Sequence, residues 1–586
     1  MEKKNTTKGR IVIYQLLPRV FTNTTQKLTK FGSIEENGCG KLNHLNSYVL
    51  GQIKKLGITH IWFTGILEHA TCTDYSSYGI KRDHPVVIKG AAGSPYAIKD
   101  YYDIDPDLAE NVPERMTEFE NLVKRSHDLK LGVIIDFVPN HVARQYHSDV
   151  KPDDVKDFGH NDNKQQAFSA SNNFYYQPGE ALHVPHEATQ LPYVLKAGLE
   201  PYHEFPAKAT GNDRFDTYPK FDDWYETVKL NYGVDYQNNR EKHFEPIPDT
   251  WKKMLDILIF WAKKNVDGFR CDMAEMVPVE FWNWAIPQVK EKYPGIVFIA
   301  EIYNPGAYKS YIEEGHFDFL YDKMGLYDTL RSVMEGKSAA RDITNVWQEL
   351  DGLDVYMLRF LENHDEQRIA SRYFAGNAQA GIPAMTVATL MNTGPVMIYS
   401  GQESGEPAEG ETGFSGDDGR TSIFDYCSMP EHAKWINNGK YDGGGYSPQQ
   451  KKLYAIYQKL LNLAGDEVFR KGYFYDLMWC NPDNEAFDGR YIYTFVRFYE
   501  EKAFLVLANF HPTEPRSVSV KFPGDLFELM SLNGNFSVVG KELLASRNDI
   551  LADKTLMIND GLSITMENLS SQVFELQFEP KSFSNK

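Results

Sequence analysis

Val266-Asp267-Gly268-Phe269-Arg270-Cys271-Asp272 reads as a short buried strand that ends in an acid. Side chains alternate along a strand, so Gly268, Arg270 and Asp272 share one face while Phe269 and Cys271 share the other. An Arg two residues before an acid, on the same face, stands at the mouth of whatever that strand lines. A cation there favours the ionised carboxylate and is expected to lower its pKa, which suits an attacking group. Taken alone, the segment reads equally well as an ordinary ion pair at a strand end.

Three further segments repeat the pattern. Gly132-Val133-Ile134-Ile135-Asp136 is an apolar run that stops at an acid and continues as Phe137-Val138-Pro139-Asn140-His141. Gly295 to Ala300 is another, stopping at Glu301. Met357 to Leu361 is a third, followed by the polar cluster Glu362-Asn363-His364-Asp365. Continuous apolar strands belong to parallel sheets buried on both faces. The carboxyl ends of such strands are where α/β enzymes hold their chemistry.

The rest of the chain keeps the alternation. Strands at Ile11–Leu16 and Ile58–Phe63 flank a helix near Ser47–Leu56, and a helix over Pro113–Leu129 precedes the Asp136 strand. A helix over Trp251–Lys264 carries Met254, Leu255, Leu258, Ile259, Trp261 and Ala262 at helical spacing. Phe281–Lys292 precedes the Glu301 strand, and Asp318–Tyr321, the Asp365 strand and Val396–Tyr399 supply the last three. Eight strands with helices between them argue for an α/β fold, a closed (β/α)8 TIM barrel. From Ala464 the character changes: Tyr491–Phe498, Phe504–Phe510 and Ser517–Phe522 read as strands without intervening helices, a C-terminal β-sandwich. Val142 to Arg240 is long, polar and irregular, which is uncommon unless functional.

The segments DFVPNH, GFRCDMAEM, AEIY and FLENHDE, in that order, resemble the four signature regions of the α-amylase family, glycoside hydrolase family 13. The resemblance runs from about Ile11 to the C-terminus and includes Tyr14-Gln15, Ser94-Pro95-Tyr96 and a last barrel strand at Gly394–Glu403. It implies a barrel over 1–141 and 241–464, a domain B inserted after the third strand over 142–240 as one wall of the cleft, and the sandwich domain over 465–586. It implies a retaining glycoside hydrolase cutting α-1,4-glucosidic bonds of starch-derived glucans or maltooligosaccharides. The alternative in the same family is a transferase or isomerase of the trehalose synthase or glucanotransferase type. A third reading, a binding protein on the same barrel, requires loss of the acids, and all are present.

By this resemblance Asp272 matches the nucleophile, Glu301 the general acid/base and Asp365 the acid that stabilises an oxocarbenium-like transition state. Glu301 is expected to be held protonated by neighbouring carboxylates and exclusion of water. Arg270 would orient the nucleophile, His141 and His364 would bind sugar hydroxyls, and Tyr96 would stack under the sugar. Asp136 would support Arg270. Lys229-Leu230-Asn231 is similar to the motif at the end of domain B in neopullulanases and cyclomaltodextrinases. Many relatives hold Ca²⁺ through the Asn matched by Asn140 and a His four residues after the nucleophile. Here that His position is Met276, a thioether and a poor ligand for a hard cation. No cofactor is therefore expected to be required, and the usual Ca²⁺ site is incomplete, with Asp417-Asp418 an alternative place for an ion.

The chain has 586 residues, 42% hydrophobic and 13% aromatic, with a formal net charge of -19. That charge argues against nucleic acid and anionic membranes as partners. The expected partner is a glucan or maltooligosaccharide; oligomeric state is open. Five cysteines without metal-type spacing (Cys39, Cys72, Cys271, Cys427 and Cys480) read as free thiols in a reducing compartment. Met1–Arg10 is polar and lacks a signal peptide's apolar run. The expectation is a cytoplasmic protein, or a periplasmic or secreted one if a leader was removed.

Overall fold

The computed structural model describes residues 9–483, 485–544 and 549–580. The first eight residues of the Met1–Arg10 segment lie outside them. Eight parallel strands form one sheet: β1 Val12–Leu16, β2 His60–Phe63, β3 Gly132–Phe137, β4 Gly268–Cys271, β5 Val297–Ala300, β6 Phe319–Tyr321, β7 Met357–Leu358 and β8 Val396–Tyr399. β8 pairs with β1, and a parallel bridge between Arg359 and Val396 closes the ring.

Alternation sorts each strand into two environments. Ile13, Trp62, Ile134, Val297, Ile299, Tyr321, Leu358 and Met397 pack together inside the barrel. Val133, Ile135, Phe269, Cys271, Phe298 and Ala300 point outward into the core under the helices. The helix Asp249–Lys263 buries Trp251, Met254, Leu258 and Trp261 there, and Trp261 Nε1 donates to the Tyr101 carbonyl at 2.7 Å. The helix Ser47–Lys55 begins where Asn46 accepts from the N–H groups of Tyr48 and Val49, which satisfies donors that a helix start otherwise leaves open.

The long polar segment is not structureless. It leaves and returns as an antiparallel stem, His141–Ala143 against Thr227–Lys229, with His141 opposite Lys229. A short ladder at Tyr176–Gln177 with Ala207–Lys208 orders its interior, and another, Val234–Asp235 with Glu241–Lys242, straddles its C-terminal end. The C-terminal part holds a six-stranded antiparallel sheet and a second ladder, Arg516–Val520 with Leu562–Met566. Buried Arg497 ties it to the barrel by donating to the Leu390 carbonyl at 2.9 Å. All five cysteines are free. Among the described residues no helix is long and apolar enough to cross a membrane.

One expectation changes. The Asp365 segment is not a strand running up to its acid: β7 stops at Leu358. Beyond it, Asn363 Oδ1 accepts from the N–H groups of Asp365 and Glu366 at 2.8 and 2.9 Å, a side-chain-capped turn that folds the chain at the barrel mouth. Buried Glu362 anchors that turn on Arg368 at 2.8 Å.

Candidate functional site

Register assembles the site. In the β3–β4 ladder Arg270 stands opposite Asp136. In the β4–β5 ladder Cys271 stands opposite Ala300, so the next residues, Asp272 and Glu301, emerge side by side. The backbone ladder continues one step further, with Asp272 N donating to Phe137 O and Glu301 N to Cys271 O. All four side chains belong to the inward face.

Arg270 is fully buried and divides its fork among them. Nη1 donates to Asp272 Oδ1 at 2.8 Å and to Asp136 Oδ1 at 3.3 Å, Nη2 lies 2.8 Å from Glu301 Oε1, and Nε donates to Tyr321 Oη at 3.1 Å. Its guanidinium is boxed by the rings of Trp62, Tyr96 and Tyr321 at 5.1 to 5.5 Å. A planar five-donor cation does this; an ammonium does not. Glu301 Oε2 accepts from Met273 N–H and Oε1 from Tyr303 O–H, each at 2.7 Å. Asp272 Oδ2 is buried without a hydrogen-bond partner.

The opposite wall is built from the other signature segments. His364 Nδ1 lies 2.9 Å from Gln15 Nε2, and its Nε2 lies 2.6 Å from Tyr96 Oη and 3.0 Å from Asp365 Oδ2. Tyr96 stacks on His364 at 5.0 Å, and Trp62 Nε1 fixes Asp136 Oδ2 at 3.0 Å. His141 packs against Trp224 at 5.2 Å. Of these, Tyr96, His141, Trp224, His364 and Asp365 line a cavity of about 380 Å³ together with Asp272 and Glu301.

Charge in the cavity departs from the simple expectation. Burial pushes Asp272 well above the usual carboxylate range; Arg270 opposes this, and Glu301, Asp136 and Asp365 add to it. A lowered pKa was expected from one adjacent Arg. The guanidinium is instead shared among three carboxyl groups, so desolvation prevails. Burial also raises Asp136, again against Arg270. Burial works to raise Asp365 too, but His364 beside it, with Arg270 and Arg420, holds it down to about 2. Burial and the Lys229 and Lys89 ammonium groups push His141 down to about 3, so it stays neutral.

Asn140 does not fit a Ca²⁺ ligand. Its Oδ1 already accepts from Lys229 Nζ at 2.6 Å, and that ammonium also lies 2.6 Å from Asp213 Oδ1. With Met276 in the position of a ligating His, the residues do not make the usual cage. Asp417 is engaged by Arg372, and Asp418 Oδ1 by the Arg420 N–H.

All eight residues singled out for catalysis and sugar binding thus border or support one hollow. Sequence reasoning passed over Trp62, Tyr321, Tyr303, Trp224 and the Lys89–Glu226 ion pair (3.2 Å) in its wall. Tyr303, two residues after Glu301, was within reach of the strand argument; Trp224 and Glu226 come from the irregular insertion and carry no pattern.

The family model for the α-amylase catalytic domain matches residues 15–463. The chain is 23% identical over 400 residues to the α-amylase MalA of Haloarcula japonica, covering 67% of this chain and 44% of that protein. It is 24% identical over 393 residues to α-amylase 3 of Dictyoglomus thermophilum, covering 63% and 66%. The matches therefore span about half to two thirds of these relatives' length. Its fold superposes on a noncanonic maltogenic α-amylase from Thermotoga neapolitana with a TM-score of 0.60 at 19% identity, over 97% of this chain and 99% of that one. On the strength of the domain match, which takes in every residue of the hollow, the chain belongs to the α-amylase family.

Proposed function

We propose that the protein is a retaining glycosidase that cleaves α-1,4-glucosidic bonds of maltooligosaccharides and starch-derived glucans by double displacement. The observation that carries this reading is the single Arg270 fork between Asp272 and Glu301, with Asp272 Oδ2 left free in the cavity. Retaining enzymes place their two carboxyl groups ~5–5.5 Å apart, one attacking and one protonating. In the first step the ionised form of Asp272, which Arg270 favours against burial, bonds through Oδ2 to the anomeric carbon while Glu301 gives its proton to the departing glycosidic oxygen. In the second, Glu301 takes a proton from water as that water displaces Asp272. Asp365 and His364 hold the sugar's hydroxyls, Tyr96 stacks beneath the ring, and Asp136 keeps Arg270 in place. No Ca²⁺ is required at Asn140, where Lys229 supplies the positive charge.

A second reading, transfer to a sugar acceptor, is favoured by the apolar part of the cavity surface. Met273, Tyr303, Trp224 and Phe424 line the cavity, and a wall of this kind hinders water more than a stacking sugar. A product time course on maltoheptaose, followed by proton NMR, tests both. Early release of α-anomers supports double displacement, and early β-anomers would overturn it. Sugars longer than the substrate would move the assignment to transfer.

A further inference from the structure

A second cluster of acids lies outside the hollow, where the hairpin Leu67–His69 with Ile98–Ile104 follows β2. Glu68 is directly opposite Asp100 in that ladder, at a register irregularity, and like charges so placed repel. One carboxylate oxygen from each of Glu68, Asp100 and Asp103 lies within 4.8 Å of the others, and all three residues are buried. Both oxygens of Glu68, which is 1% exposed, lack a hydrogen-bond partner. Asp149 donates its N–H to Asp100 Oδ2 at 2.9 Å, and its own buried Oδ2 is unpartnered.

The surrounding cations do not balance this charge. Lys99 Nζ lies 3.5 Å from Glu68 Oε1 but is shared with Asp83 at 3.2 Å, and Arg115 is spent on Asp103. Counting Asp83 and Asp149, five acids face Lys99, Arg115 and His147, the last lying 3.3 Å from Asp149 Oδ1 on the side away from its unpartnered Oδ2. Buried carboxylates in such excess must take up protons or a cation. Calcium binds oxygens at ~2.3–2.6 Å, so ligand oxygens up to ~5 Å apart can share one ion; magnesium, at ~2.0–2.1 Å, needs a tighter cage.

We propose that Glu68, Asp100 and Asp103 bind one Ca²⁺, which fastens the hairpin to Ser148–Asp149 at the root of the 142–240 insertion. This site is separate from Asn140 and independent of the catalytic reading. Asp100 also accepts the Tyr102 N–H at 2.8 Å, so the hairpin and the insertion meet at one carboxylate.

The test uses the whole protein stripped by a chelator and scanned calorimetrically with and without millimolar CaCl₂ or MgCl₂. Binding to the folded state alone makes the unfolding temperature rise with ligand concentration. Calcium is expected to raise it by several degrees and magnesium by less, with one Ca²⁺ per chain by metal analysis after desalting. Glu68→Gln and Asp100→Asn should each lose the ion and the response. Asn can still accept the Tyr102 N–H, so the second variant is expected to fold. Should neither variant fold, Tb³⁺ luminescence of the wild-type protein, sensitised through Tyr101 and Tyr102 and quenched by Ca²⁺, replaces them. A wild-type protein that neither retains Ca²⁺ nor responds to it, variants that bind as before, or a Tb³⁺ signal that is absent or not displaced by Ca²⁺ would each overturn the proposal and leave shared protons as the solution.

Discussion

Lys229 Nζ donates to Asn140 Oδ1 at 2.6 Å across the stem of the insertion. The ammonium is 1% exposed and also reaches Asp213, so one charge pins the root of the insertion to the end of the Asp136 segment. Removing it strands two acceptors. Lys229→Met is expected to destabilise the protein by about 1.5–3 kcal/mol, the range for a hydrogen bond to a charged group. Chemical denaturation measures it, and an unchanged midpoint would show that the contact contributes nothing.

Arg270→Lys tests whether fork geometry or charge alone matters. A lysine keeps the charge but cannot serve Asp272, Asp136 and Glu301 at once while stacking between aromatic rings. The variant should fold and lose on the order of 10²–10³ in kcat, as when a preorganised donor is removed from a reacting centre. Activity within a factor of a few of wild type would refute the shared-fork account.

Asp272→Asn and Glu301→Gln should fail differently. The first removes the attacking oxygen, so turnover collapses on every substrate while maltooligosaccharide binding by calorimetry persists. The second removes the proton donor, a loss of about 10²–10⁴ on maltooligosaccharides. It should be far milder on an aryl glycoside whose leaving group needs little protonation. Equal losses on both substrates would sink the acid role of Glu301.

Buried histidines should make the protein sensitive to acid. His141 and His432 are both held down to about 3, chiefly by burial, against about 6.5 unfolded. A depressed histidine contributes stability that is full above the unfolded pKa and is lost as pH falls from about 6.5 toward 3. Each should cost on the order of 1–2 kcal/mol by pH 5, because the unfolded chain binds the extra proton. Ring NMR signals of both should stay fixed between pH 8 and 5; a midpoint near 6.5 for either would contradict this.

Much of the site could be read along the chain because its chemistry sits on strands. Arg270 and Asp272 fall on one face by alternation, and an apolar run that stops at Glu301 marks a barrel rim wherever the strand lies in the ring. Asp365 was legible as a residue but not as a geometry, since its turn depends on Asn363 capping two backbone N–H groups. Trp224 was not legible at all, because an irregular segment has no period to expose which side chains point inward, and the Glu68 cluster was not, because its acids meet only through a strand pairing whose register shifts at Glu68.

The amino-acid order by itself determined the eight-stranded barrel and the identity of its acids, because strand period and buried apolar runs are local properties. Only the tertiary structure decided how charge is distributed among them. It divided one guanidinium among Asp272, Glu301 and Asp136, gave Asn140 to a lysine, and left Glu68 facing Asp100 without a counterion of its own. Electrostatics and desolvation depend on which distant groups come within a few ångströms, and that is fixed by register and burial rather than by sequence neighbours.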